Sequence, residues 1–326
     1  NFIFNLFVFF LFFSCGSTNN IENSTIKNWT PVISSDNSKP LKRHEAAFVN
    51  VGDKFYLLGG RRINHVSIFD AKTKKWTKGA KPPMEMHHFQ PVVYKNDIYI
   101  IGAFTGRYPT ETPIKNIYIY KTKTDSWVKD AKIPAERLRG STGNIIKKGI
   151  IYMACGIKDG HKSDHKKWLD SYNLMTKEWK TLPDAPRARD HFQAVEADNK
   201  IYVLAGRLSK APMATFTETI PEVDVYDMNL KKWTTIADNL PTQRAGNIAL
   251  LYGDDVLVIG GESIHQKKAH NEVEGLNINT LKWQKYPNLF QGRHGTGAFL
   301  YENEIYIASG CNNRGGSPEL ETMEKF

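Results

Sequence analysis

The sequence predicts an all-β fold, a closed propeller of six four-stranded blades, and three observations carry that expectation. A hydrophobic strand ending in two small residues occurs six times: Phe55-Tyr56-Leu57-Leu58-Gly59-Gly60 and Ile98-Tyr99-Ile100-Ile101-Gly102-Ala103 come first, followed by residues 151–156, 201–206, 256–261 and 305–310. An aromatic residue or leucine precedes a tryptophan by seven residues five times, at Phe69 and Trp76, Tyr120 and Trp127, Tyr172 and Trp179, Tyr226 and Trp233, and Leu276 and Trp283. The repeat length is about 50 residues, and a fixed period of this size marks an architecture in which each repeat is one small sheet.

Each element has a physical reason. A twisted four-stranded sheet cannot bury both faces alone, so blades stacked around an axis cover one another. Glycines let the chain turn beside a crowded axis where no side chain fits. The tryptophan of an outer strand fills the wedge against a neighbouring blade and buries on the order of 200 Å². Only five complete repeats are internal, and the sixth stops at Phe326 with a fourth strand still required. Asn28-Trp29-Thr30 is expected to supply it, since Trp29 stands 14 residues before Arg43 and the other tryptophans stand 10 to 12 residues before the matching positions. Such closure removes an exposed sheet edge.

These motifs resemble the kelch repeat, and the resemblance covers residues 28–326. The chain departs from the kelch pattern where Ala103, Cys155, Ala205 and Ser309 replace a glycine, and where Leu257 and Leu276 replace aromatics. All are small or apolar exchanges that the fold accommodates.

The N-terminal region is expected to be targeting sequence. Residues 2–13 hold eleven apolar positions interrupted by Asn5, too few for a span of about 20 residues and suited to the apolar core of a signal peptide. Ser14-Cys15-Gly16 resembles a bacterial lipobox, which implies a signal peptide over 1–14, lipidation at Cys15, and a polar tether over 15–27 ahead of the propeller at 28–326. Asn1 is not an initiator methionine, so the start of the reading frame is expected to be missing. The sequons at Asn23 and Asn28 carry no meaning in a bacterial lipoprotein. The expected location is a membrane-anchored lipoprotein facing the periplasm or cell surface.

Composition excludes several classes. With 40% hydrophobic and 12% aromatic residues the chain is not intrinsically disordered. The net charge of +10 invites a nucleic-acid reading, but no run of five basic residues and no nucleic-acid motif accompanies it. Three cysteines, Cys15, Cys155 and Cys311, make no disulfide framework.

The charge follows the repeat. Sixteen residues before the first member of each small pair stand Arg43, Met86, Arg139, Arg189, Arg244 and Arg293. The inner strand begins there, and the second strand, its antiparallel neighbour, ends on the same face of the disc, which adds Arg61 and Arg207 after their small pairs. The ten histidines map to that same face. Guanidinium forks match carboxylates, and several in a concave mouth would focus positive potential on an anion. The kelch resemblance implies the same ligand-binding role for Arg43, Arg139, Arg189, Arg244 and Arg293, though not for Met86. Alternatively, each arginine pairs with an acid such as Glu45, Asp190 or Glu262 and ties blades together.

Three function classes follow. The first is a binding module for an acidic, carbohydrate or carboxylate ligand or an acidic peptide, monomeric, touching a membrane only through its anchor. The second is an enzyme acting on an acidic sugar, a mutarotase, epimerase or lyase. Residues 187–192, Arg187-Ala188-Arg189-Asp190-His191-Phe192, are similar to the repeat starts of exported sialic acid mutarotases. Its acid or base candidates are His191 and His294, with Glu45 and Glu262 behind them. The third, a copper radical oxidase on a kelch scaffold, is set aside because neither Cys155 nor Cys311 has a matching tyrosine motif. A zinc site at His161 and His165 would require a helix to align the pair, so neither cofactor nor metal is expected.

Overall fold

The computed structural model describes residue 2 and residues 27–326. Apart from residue 2, the signal segment lies outside the described residues, as do Cys15, Asn23 and the tether as far as residue 26. No helix among the described residues is long and apolar enough to cross a membrane, and the single-turn 3-10 helix at Ala135–Arg137 is the one helical element found there.

Six four-stranded antiparallel sheets form among the described residues. Blade one takes Ala46–Val51, Lys54–Gly59, Ser67–Asp70 and Lys75–Lys78 from the axis outward. Blades two to five repeat that order, with inner strands Val92–Tyr94, Gly143–Lys147, Gln193–Ala197 and Ile248–Tyr252. Blade six joins Ala298–Tyr301, Glu304–Ala308 and Met323–Lys325 to Thr30–Val32 from the other end of the chain, with Thr30 opposite Lys325 and Val32 opposite Met323.

The seven-residue spacing is the signature of the outer hairpin. Phe69, Tyr120, Tyr172, Tyr226 and Leu276 each lie directly across from their tryptophan, with ring centroids 4.8–5.2 Å apart in the four aromatic pairs. Trp29 stacks at 5.4 Å on Phe326 in the same relation. Indole N–H groups bond back to the preceding blade, Trp233 to Pro183 O and Trp283 to Asp238 O, and Trp29 does so to Pro287 O at 3.0 Å. Six apolar clusters fill the six blade interfaces, and the one between blades six and one packs Phe48 and Phe55 on Phe299. The N-terminal closure expected from Trp29 is therefore the observed one.

Candidate functional site

The five repeat arginines do not form a ligand-binding ring. Arg43, Arg139, Arg189, Arg244 and Arg293 are each 0% exposed, and each guanidinium turns into its own blade. There it donates to the carbonyl sixteen residues on: Gly59, Cys155, Ala205, Gly260 and Ser309. Acids of the third strand neutralise four of them, Asp170 with Arg139, Asp224 with Arg189, Glu274 with Arg244 and Glu324 with Arg293. Arg43 meets Ser67 Oγ at 3.3 Å in the equivalent place. The constant spacing thus encodes an internal hydrogen bond, and these residues pin the inner strand of each blade to its second and third. Met86 fills the same slot in blade two, fully buried among apolar neighbours.

The axis is lined by the residues two places later. Glu45, His88, Ser141, His191, Gly246 and Gly295 all have φ between 53° and 64°, a left-handed conformation that costs L-residues free energy and clusters at functional sites. The turn aims these positions at the channel. Backbone bonds run around it: His88 N to Glu45 O, Ser141 N to His88 O, Gly246 N to His191 O, Gly295 N to Gly246 O and Ala46 N to Gly295 O, while Ser141 Oγ accepts from His191 N at 2.8 Å. Blades five and six leave the ring bare with glycine. This ring of six positions therefore carries Glu45, His88, Ser141 and His191 as its side chains, and Thr142, Gln193, Asn247 and Thr296 line the narrow channel with them.

Above this girdle opens a cavity of about 640 Å³, within the range of small-molecule sites. Glu45, Arg61, Arg62, His88, Arg107, Tyr108, His161, Arg207, Phe216 and Glu262 contribute to its wall. Three connections lean together to build one side. His161 N donates to Pro109 O, Ala211 N donates to His161 O, and the Tyr108 hydroxyl meets Thr215 Oγ1 at 3.0 Å. Arg207 lies 5.0 Å from the Phe216 ring.

Arg61 and Arg207 reach this mouth as expected from sequence, yet each is paired, Arg61 with Glu111 and Arg207 with Glu262, both at 2.6 Å. Arg107 is exposed on the cavity wall. Burial alone would raise the Glu262 carboxyl, but His294 and Arg207 outweigh it and bring it to about 2. Burial likewise opposes ionisation of Glu45, and His294, His44 and His191 hold it below its usual range.

The two histidines expected to do acid–base work differ in place. His294 is not on the cavity wall: its Nε2 donates to Asn313 O and Gly315 O at 2.9 and 3.0 Å. Burial pushes its pKa down, but Glu262 and Glu45 override burial and raise it to about 10, so it is a buried cation that neutralises two glutamates. His191 stands on the channel ring, bonded to Asp190, and burial and Arg207 lower it to about 4. His165 meets Asp190 at 3.1 Å, away from His161, whose Nε2 faces His191 Nε2 at 2.8 Å. The His161 and His165 pair is therefore not a site. Instead His88, His161 and His191, all buried, place ring nitrogens within 4.8 Å of one another.

Sequence reading missed Glu45, His88 and Ser141 as one column because their chemical types differ. The signal that could have found them is a polar or glycine residue two places after every repeat arginine or methionine. His161 carries no such signal, since it sits in a connection outside the repeat.

Comparison with known proteins agrees with the propeller fold. Residues 17–263 match the Attractin/LZTR1 β-propeller family. The kelch-like protein terF of Aspergillus terreus is 27% identical over 309 residues, covering 87% of this chain and 64% of that protein. Kelch-like protein 23 of Homo sapiens is 26% identical over 218 residues, 65% of this chain and 36% of its own length. The chain thus spans less than two thirds of the length of these relatives. The solved structure of YjhT superposes with a TM-score of 0.73 at 17% identity, covering 87% of this chain and 95% of that one, which shows a shared fold. From its motifs, its six closed blades and these matches, the chain belongs to the kelch-repeat propellers of the Attractin/LZTR1 β-propeller family.

Proposed function

We propose that this chain is an exported propeller whose mouth cavity holds one small acidic ligand of carbohydrate size. The observation that carries the reading is the combination, on one concave wall, of Arg107 with the aromatic residues Tyr108 and Phe216 and with Glu45. A sugar ring stacks on an aromatic face, its hydroxyls donate to a carboxylate, and its acid group pairs with a guanidinium. A concavity of about 640 Å³ fits such a ligand better than a broad, flat protein surface.

A second reading, turnover of that ligand, is favoured by one further observation. Burial opposes ionisation of Glu45, but His294, His44 and His191 hold its carboxyl below the usual range, and a carboxylate on the cavity wall is able to take up a proton from a bound sugar. The resemblance of residues 187–192 to sialic acid mutarotases points to the same substrate class.

The test is a melting-temperature screen of uronic acids, sialic acid and sulfated oligosaccharides against their neutral counterparts. Acidic sugars are expected to stabilise the chain, by ~2.7 kcal/mol at 100 times the dissociation constant, while neutral ones are not. Arg107→Ala is expected to weaken binding about tenfold, the worth of one exposed charge-assisted hydrogen bond, with the melt of the free protein unchanged. No response to any anion would discard the reading. Export is tested separately: Cys15→Ala is expected to move the chain from the membrane to the soluble fraction, and retention at the membrane would count against the anchor.

A further inference from the structure

Hydrogen bonding fixes the tautomers of three histidines at the channel mouth. The His161 Nδ1 proton goes to Glu111 Oε2 at 2.9 Å and the His191 Nδ1 proton goes to Asp190 Oδ1. Arg61 also donates to Glu111, and Ser209 donates to Asp190 through both its N–H and its hydroxyl, so both carboxylates are held as acceptors. His87 Nε2 donates to Gly106 O at 3.0 Å, which leaves His87 Nδ1 as acceptor for the His88 Nδ1 proton at 2.6 Å. Every Nδ1 proton is thereby committed, and each ring in its neutral form presents a lone pair at Nε2.

Those lone pairs meet. His161 Nε2 faces His191 Nε2 at 2.8 Å, and His88 Nε2 lies 3.3 Å from the carboxylate of Glu45. Acceptor opposite acceptor in a buried site is repulsive unless a cation sits between them. A carboxylate on the far nitrogen of a histidine is also the outer-shell arrangement that orients imidazoles toward a metal and raises their basicity.

We propose that His88, His161 and His191 form a binding site for a divalent transition metal of the zinc class, with its open coordination position toward the mouth cavity. Three neutral imidazoles select such an ion over the hard cations calcium and magnesium, which prefer oxygen. Tetrahedral binding at about 2.0–2.1 Å requires His161 and His191 to separate by roughly half an ångström more, within reach of small side-chain rotations. Three protein ligands with a fourth position left for water or substrate is the pattern of catalytic rather than structural zinc. His88 and His161 both line the cavity, so a ligand carboxylate there could take that position, a step that rests on the acidic-ligand reading. The metal site itself does not.

The experiment uses the untagged full chain, stripped with a chelator, reloaded with zinc and gel-filtered. About one equivalent of zinc is expected to remain by elemental analysis, and His88→Ala, His161→Ala and His191→Ala are each expected to abolish retention. Glu111→Ala, which removes the group orienting His161, is expected to weaken zinc affinity roughly 10–100-fold. Should the histidine variants fail to fold, the wild-type chain still decides the matter: cobalt(II) should give the intense visible bands of a tetrahedral nitrogen site, and zinc X-ray absorption should show nitrogen neighbours at about 2.0–2.1 Å. A folded wild-type chain that retains no zinc and shows no cobalt bands would overturn the site, leaving a shared proton between His161 and His191. Equal retention by folded histidine variants would overturn it as well. Neither result bears on the sugar screen, which is run on stripped protein.

Discussion

Arg244→Met is expected to destabilise the chain by about 3–5 kcal/mol, because it leaves the Glu274 carboxylate buried without its partner. Arg244 and Glu274 are 0% and 2% exposed, and the guanidinium also holds Gly260 O, Thr242 O and Val258 O. The double variant Arg244→Met with Glu274→Leu should recover most of that loss, since replacing a whole buried pair by apolar groups is often neutral. Arg43→Met supplies the contrast. Among the described residues no carboxylate lies within bonding distance of Arg43, so its removal strands backbone carbonyls and a hydroxyl, a cost of about 1–3 kcal/mol. Blade two already holds methionine in this slot at Met86. Denaturation of the three variants side by side checks the ordering, and equal losses for Arg43→Met and Arg244→Met would refute the assignment of Glu274 as the counter-ion.

Trp29→Ala is expected to cost about 3–5 kcal/mol, the usual range for emptying a buried aromatic site. Trp29 is 5% exposed, packs with Ile248, Leu257, Leu289 and Phe326, and donates to Pro287 O across the blade interface. It also positions the strand Thr30–Val32 that completes blade six. Deleting residues 27–32 should act more severely, since the freed Met323–Lys325 edge becomes available for pairing with other chains. Self-association of the truncated chain by light scattering, together with a lower melt, is the expected result. A truncated chain that stays monomeric with an unchanged melt would show that the closing strand is dispensable.

The arginines and the channel ring show how much of the site could be read from sequence. Spacing alone located Arg43, Arg139, Arg189, Arg244 and Arg293 at one level of every blade, and that level is correct. The direction of their side chains was not available from it. Each guanidinium finds a carbonyl sixteen residues away, and all but Arg43 find an acid about thirty residues away in the third strand, where Asp170, Asp224, Glu274 and Glu324 follow no motif that announces the pairing. Burying an arginine without hydrogen-bond acceptors would be prohibitively unfavourable, so its orientation follows from groups brought close only by folding. Glu45, Asp190 and Glu262, proposed from sequence as partners for those arginines, instead hold the histidines and Arg207 of the mouth.

By itself the sequence determined the architecture: blade number, the outer hairpins with their tryptophans, and ring closure by the segment around Trp29. These rest on periodic local patterns, hydrophobic strands and small residues at tight turns, which repeat because every blade solves the same packing problem. Only the tertiary structure decided which charges face water and which face one another. It brings His88, His161 and His191 together from three blades, across 73 and 30 residues of chain. No periodic pattern links these positions, because a channel shared by all six blades needs different side chains from each, and their meeting depends on the ring being closed.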